Sequence, residues 1–385
     1  MKIYHDSRNT DYRKPFGAAK TGTDITISLM VEDMKPENVR LVVRRDDSSV
    51  PQFLGMKEVA GSNTKTKYAV TLKAPEKGCL LWYYFALEVG DEDFRDTIYY
   101  GNNENAMGGT GRIYRMDPVP YQITVYRESS VPEWYKNGIV YQIFPDRFAR
   151  DEDWKERCEA SVKKINERPG GAKRFIQEDW NQKAFYVKDE KGRVTDWPIY
   201  GGSFKGIEEK LDYLSSLGVS AIYLNPIFES TSNHHYDTAD YMKTDSSLGT
   251  EEDFVSLAAA AKKRGIRIFL DGVFSHTGAD SKYFDRFGNF EPGLGAYANE
   301  DSPYRSWYKF DDNEECGYKS WWGVDDLPEV DEEDPGFREL ITGEGGVLEH
   351  WMKLGASGWR LDVADELPDS FIRAITRRVK KTDPE

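Results

Sequence analysis

A chain of 385 residues, 39% hydrophobic and 31% charged, has a soluble globular composition and is too long for one ordinary core, so two or three domains are expected. Its net charge of -15, from 52 Lys plus Arg against 67 Asp plus Glu, argues against nucleic acid and anionic membranes as partners and is compatible with a neutral ligand such as a sugar. Cys79, Cys158 and Cys316 match no metal spacing or disulfide framework, and the opening MKIYHDSRN has no apolar leader. No run is long enough to cross a bilayer, so a cytoplasmic location is expected if Met1 is the true start.

Residues 1–130 read as β. Ile25, Ile27, Leu29 and Val31 alternate with Thr26 and Ser28 along Asp24–Val31. Val39–Val43, Tyr68–Leu72, Leu80–Val89 and Tyr121–Tyr126 are further strands, separated by turn-rich stretches such as Asp46-Asp47-Ser48-Ser49. Short alternating strands without helices predict an N-terminal β-sandwich.

The pattern changes after Pro132, and residues 131–385 form the second expected domain. Ile139–Phe144 reads as a strand leading into Pro145-Asp146-Arg147. Asp151–Arg157 reads as a solvated charged face, and 154–200 as a polar insertion with a hairpin at Lys191-Gly192. Three amphipathic helices then each end in glycine and run into an apolar strand. Ile207, Leu211 and Leu214 precede Gly218, and Ala221–Leu224 leads to Asn225. Phe254, Leu257, Ala258 and Ala261 precede Gly265, and Ile266–Leu270 leads to Asp271. Leu348, Trp351 and Met352 precede Gly355, and Gly358–Leu361 leads to Asp362. Glycine after a last helical turn supplies the left-handed cap, and helix–strand alternation implies parallel βα units. A unit of a (β/α)8 barrel averages about 31 residues. The step from Asp271 to Asp362 is too long for one, so about 60 residues, near 277–343, form an insertion after the third strand, at the rim where barrel active sites lie.

The chemistry-bearing residues sit at strand ends. Asp271 and Asp362 terminate apolar strands, with His276 and Arg360 within five residues of them. Carboxylates at strand C-termini point into the mouth of a parallel barrel, and with a His and an Arg they suit acid–base and nucleophilic work on an acetal. The alternative is that each Asp caps the helix that follows. The 10 Trp and 23 Tyr allow sugar stacking, although core packing accounts for most such rings.

Local strings add a resemblance. Asp271-Gly-Val-Phe-Ser-His276 resembles the Asp-x-x-x-Asn-His region of the alpha-amylase family (glycoside hydrolase family 13), and Gly358-Trp-Arg-Leu-Asp362 its Gly-x-Arg-x-Asp region. His234-His-Tyr-Asp-Thr-Ala-Asp-Tyr241, Tyr141-Gln-Ile-Phe-Pro-Asp-Arg-Phe148 and Leu327-Pro-Glu-Val-Asp331 are similar to three further regions, in order. The resemblance covers about 131–385 and is neopullulanase- and cyclomaltodextrinase-like, and residues 1–130 are similar to the starch-binding-type domain of those enzymes.

The resemblance implies an α/β fold, a (β/α)8 TIM barrel of which about the first four βα units are present, and a retaining glycosidase acting on α-1,4-glucans such as maltodextrin, cyclodextrin, pullulan or starch. It makes Asp362 the nucleophile, with Arg360 orienting it and keeping it ionised. Asp271 supports Arg360 and the site floor, His276 hydrogen-bonds the sugar, Tyr236 stacks on it and His234 lines the same pocket. For Glu366 and Asp365, substrate contact and helix N-terminal charge are both open. A homodimer through the N-terminal domain is the expected assembly. Ser275 stands where the family has Asn, and Ser203 where relatives have Asp, at positions that often bind calcium, so no metal or other cofactor is expected. The general acid follows a fifth strand and is expected beyond Glu385, which predicts a C-terminally truncated chain with little or no turnover. A transglycosylase or branching-type enzyme with the same site, or a non-catalytic glucan-binding module, are the alternative readings.

Overall fold

The computed structural model describes residues 2–62, 64–90, 95–128 and 131–384. It divides into two compact units, Met1–Ser130 and Val131–Glu385.

The first unit consists of two antiparallel-rich sheets. In one, Asp24–Glu32 pairs with Lys65–Lys73 along nine residues, flanked by Lys2–Tyr4, Arg13–Lys14 and Lys57–Gly61. In the other, Cys79–Gly90 is central, with Asn38–Arg45 on one edge and Tyr121–Tyr126 and Arg95–Gly101 on the other. The alternation explains the layering. Ile25, Ile27, Leu29 and Val31 are at most 1% exposed and join Leu41, Tyr83 and Phe85 of the second sheet in one core. His5 lies inside it, with Nδ1 2.8 Å from the Ser28 carbonyl and Nε2 3.0 Å from the Tyr83 hydroxyl.

The second unit is built on a parallel sheet of four strands in chain order: Ile139–Ile143, Val219–Leu224, Arg267–Gly272 and Gly358–Leu361. Helices fill the intervals. Glu251–Lys263 is started by a capping box, in which Thr250 Oγ1 accepts from the Asp253 amide and Asp253 from the Thr250 amide. Its buried stripe is Phe254, Leu257, Ala258 and Ala261. Gly218, Gly265 and Gly355 have φ of +78°, +72° and +120°, so each cap uses a backbone conformation that suits glycine. The Ile207, Leu211 and Leu214 stripe spans two short helices, Phe204–Glu209 and Leu211–Ser216, broken at Lys210. Between the third and fourth strands the chain is mostly turns, with 3-10 turns at Arg305–Trp307 and Trp321–Gly323. Helix structure resumes at Pro335–Thr342, capped by Asp334, earlier than the sequence pattern indicates.

Within the Asp151–Arg157 stretch Glu152, Asp153, Lys155 and Glu156 are exposed, as a solvated face requires, but its two ends turn inward. Asp151 is buried, and the Arg157 guanidinium forks onto its carboxylate at 2.8–3.2 Å. Ser203 Oγ donates to the same carboxylate at 2.8 Å, and Arg157 Nε donates to the Ser247 carbonyl at 3.0 Å. Arg157 comes from a helix, Trp154–Asn166, that buries Cys158, Ser161 and Ile165. Beyond it, Val187–Lys188 and Val194–Ile199 form a hairpin that turns at Gly192. No helix of the described residues is long and apolar enough to cross a membrane.

Candidate active site

Asp271 closes the third strand and lies opposite Arg360 in the register of the fourth. The Asp362 amide donates to the Gly272 carbonyl at 3.1 Å, which carries the ladder past the strand end. Residues i and i+2 of a strand share a face, so the Arg360 guanidinium falls between two carboxylates. Its Nη1 donates to Asp271 Oδ1 at 3.0 Å and also to Asp362 Oδ1. The two Asp residues thus converge on one rim, as the strand-end pattern requires.

Their environments differ. The Asp271 side chain is fully buried, and its Oδ2 accepts hydroxyl hydrogen bonds from Tyr223 and, at 3.0 Å, from Tyr236. Burial raises its pKa above the ordinary carboxylate value, against the pull of the Tyr223 hydroxyl and the Arg360 charge. Both of its oxygens are committed. Asp362 is 14% exposed, and among the described residues its carboxylate has one hydrogen-bond partner, Arg360. It is therefore the carboxylate with an oxygen free to meet a ligand. Burial works against the charge on Arg360, but hydrogen bonds to Asp271 and Asp362 outweigh it and hold the guanidinium pKa above its usual value. The next residue, Val363, has φ +41°, an outlier for a β-branched side chain, at the turn that presents Asp362.

The remaining predicted residues surround this core. Tyr236 is half-buried; burial and the nearby Asp271 charge push its phenol up to about 12, so it is a neutral donor at neutral pH. Asn225 Nδ2 donates to the Tyr236 hydroxyl at 3.0 Å and is itself held by Gln142. The His234 ring lies 5.8 Å from that of Tyr236, and burial lowers its pKa. His276 is buried, with Nδ1 2.9 Å from Ser275 Oγ and Nε2 without a well-formed hydrogen bond. Burial brings its pKa down to about 4 against the opposing Asp362 charge, so the imidazole is neutral. Glu366 accepts hydrogen bonds from the indoles of Trp321 at 2.9 Å and Trp322 at 3.0 Å. It does not open a helix, because the next helix is Asp369–Thr382 with Pro368 as its cap; Asp365 is exposed ahead of that helix.

Tyr223, Trp321 and Trp322 belong to the site and are absent from the sequence-based set. A hydroxyl inside the apolar Val219–Leu224 strand and two adjacent tryptophans in a turn-rich segment were the available signals. Trp321 packs 5.5 Å from His276, and Trp322 is 78% exposed at φ +51°.

The profile of the alpha-amylase catalytic domain matches residues 142–384. The chain belongs to the alpha-amylase family. An amylopullulanase of Thermoanaerobacterium thermosulfurigenes is 35% identical over 395 residues, covering 96% of this chain and 20% of the relative. Neopullulanase 2 of Thermoactinomyces vulgaris is 36% identical over 262 residues, covering 66% of this chain and 39% of the relative. The solved structure of the type III pullulan hydrolase from Thermococcus kodakarensis superposes with a TM-score of 0.56 at 25% identity, covering 100% of this chain and 60% of that one. This alpha-amylase-family chain therefore spans less than two thirds of each of these relatives. The Asp271, Arg360 and Asp362 cluster lies within the matched segment, and the TIM-barrel-type α/β fold of the family accounts for the parallel strands that assemble it.

Proposed function

We propose that the Val131–Glu385 unit carries the nucleophile side of a retaining α-glucan glycosidase, with Asp362 as nucleophile. One observation carries the reading: a single guanidinium binds a saturated, buried Asp271 and a partly open Asp362 at adjacent strand ends. In this reading an Asp362 oxygen attacks the anomeric carbon, the glycosidic C–O bond breaks, and a glycosyl ester forms. The departing oxygen takes a proton from a general acid. Water then attacks the same carbon and releases Asp362 with net retention. His276 Nε2, neutral and buried, is the contact for a sugar hydroxyl, and the Tyr236 ring is the stacking surface.

The same reading makes the four-stranded sheet the first half of a (β/α)8 barrel and the N-terminal unit a starch-binding-type sandwich. It includes a cytoplasmic location and a homodimer through that unit. The relatives' names, an amylopullulanase and a neopullulanase among them, support α-glucans as the substrate class. Calcium is left out of it. Ser203 Oγ is committed to Asp151 and the Gly206 amide, Ser275 Oγ to His276, and a guanidinium already neutralises Asp151.

Fluoride is a leaving group that needs no protonation, which gives the test. The chain should release fluoride from α-maltosyl fluoride. Asp362→Asn should abolish the fluoride reaction. Equal rates for the two proteins would remove Asp362 from its role.

A further inference from the structure

The polar insertion at 154–200 sends one charged side chain into the interior. Arg174 lies on the short strand Lys173–Ile176, which pairs in parallel with Val194–Ile199, and its side chain is fully buried. A buried guanidinium needs an acceptor at every N–H. Asp245 supplies two, accepting from Nη1 at 3.0 Å and from Nη2 at 2.8 Å. Ser161 Oγ accepts from Nη1 at 2.7 Å. The other acceptors are three successive carbonyls. That of Thr231 accepts from Nε at 2.8 Å, and those of Ser230 and Ser232 accept from Nη2 at 3.1 Å each. Burial opposes the charge on Asp245, but the guanidinium beside it outweighs burial and holds its pKa well below the usual carboxylate range.

The clamped carbonyls belong to the loop that carries His234 and Tyr236. This loop leaves from Phe228–Glu229 and returns at its antiparallel partner, Asp240–Thr244. At 230–232 side chains hold its backbone. The Ser230 amide donates to Asp245 Oδ2 at 3.2 Å, and the Thr231 and Ser232 amides donate to Asp237 Oδ2 at 3.1 and 3.0 Å. Ser232 Oγ donates to Asp237 and accepts from the His235 amide at 2.9 Å. Tyr236 therefore sits between two residues, His235 and Asp237, that are both tied to the segment Arg174 grips. Its hydroxyl reaches Asp271 Oδ2 at 3.0 Å. His235 has φ +62°, a conformation that persists where its surroundings enforce it. Three carbonyl dipoles aimed at one point repel unless a cation stands there, and a lysine ammonium cannot reproduce the fork that serves them and Asp245 together.

We propose that Arg174 is a positioning residue for the sugar-binding side of the site: by holding the Ser230–Ser232 carbonyls it fixes Tyr236 against Asp271. This rests on the α-glucan reading above, and it gives the insertion a role in presenting the stacking ring.

The test is a double-mutant cycle on the whole chain, read by calorimetric titration with maltotriose well below each variant's thermal midpoint. Tyr236→Ala is expected to weaken maltotriose about tenfold. Arg174→Lys should weaken it by a similar factor, and the double variant should bind no more weakly than Tyr236→Ala alone, because Arg174 acts through that ring. Amide hydrogen exchange without sugar should quicken across 229–238 in Arg174→Lys and stay unchanged in the Glu251–Lys263 helix. Should Arg174→Lys fail to fold, Ser161→Ala removes one acceptor and keeps the guanidinium. It should give a smaller loss that also vanishes in the Tyr236→Ala background. If the parent binds and Tyr236→Ala weakens it, while the Arg174 or Ser161 variant loses nothing or adds its loss to that of Tyr236→Ala, the positioning role is refuted and the glucan reading stands. If the parent does not bind maltotriose, the glucan reading falls and this role with it.

Discussion

Arg360 serves both carboxylates through one nitrogen, and this division of labour makes it the most sensitive single position of the proposed site. Lysine would keep the charge, but its ammonium ends a bond short of Nη1 and would not sit between the two carboxylates, so Arg360→Lys is not conservative here. Because Arg360 is 41% exposed, the stability cost should be modest, about 1–2 kcal/mol. The rate of glycosyl transfer from α-maltosyl fluoride should fall at least about 100-fold, because Asp362 loses its orientation. A variant with full activity would show that the bridge is incidental. A second residue reports on stability alone. Burial holds His5 down to about 4, below its ordinary 6.5, so the unfolded chain binds the extra proton first. Its contribution is therefore fully present above about pH 6.5 and is lost as pH falls toward 4, by up to about 3 kcal/mol. The stability difference between the protein and His5→Asn, read from urea unfolding, should shrink across that window. A constant difference would contradict a neutral buried imidazole.

The Trp154–Asn166 helix sets a guanidinium against the buried Asp151, just past the first strand of the parallel sheet. Removing one partner of a buried pair typically costs 3–5 kcal/mol, so Arg157→Ala should lower the thermal midpoint by several degrees. Chelator and millimolar calcium should leave the midpoint of the unaltered chain unchanged, and a drop on chelation would overturn the assignment. This helix was not legible in the sequence. Its buried positions are Cys158, Ser161 and Ile165, and a single large apolar residue makes no visible stripe. The helices before Gly218, Gly265 and Gly355 were legible because large apolar residues mark one face and a left-handed glycine marks the end. Edge strands such as Gln52–Gly55 and Lys57–Gly61 escaped notice because they are largely exposed and carry no alternation.

At the scale of the molecule, what the sequence made legible was the convergence of positions: strand-end Asp271, Arg360 and Asp362 meet because the strands are parallel neighbours in register. What it did not make legible was what the loops bring in. Tyr223 is a polar group inside a buried strand, and Trp321 and Trp322 are pinned by Glu366 across 45 and 44 residues. None of these has a periodic signature, and each depends on tertiary placement. The central claim, that Asp362 is the nucleophile of an α-glucan site, can be read as a covalent bond. After incubation with 5-fluoro-α-glucosyl fluoride, whose ester intermediate decays slowly, intact-mass and peptide mapping of the chain should find one 5-fluorohexosyl adduct on Asp362 and none in Asp362→Asn. An adduct on another residue, or an unmodified chain after prolonged exposure, would contradict it.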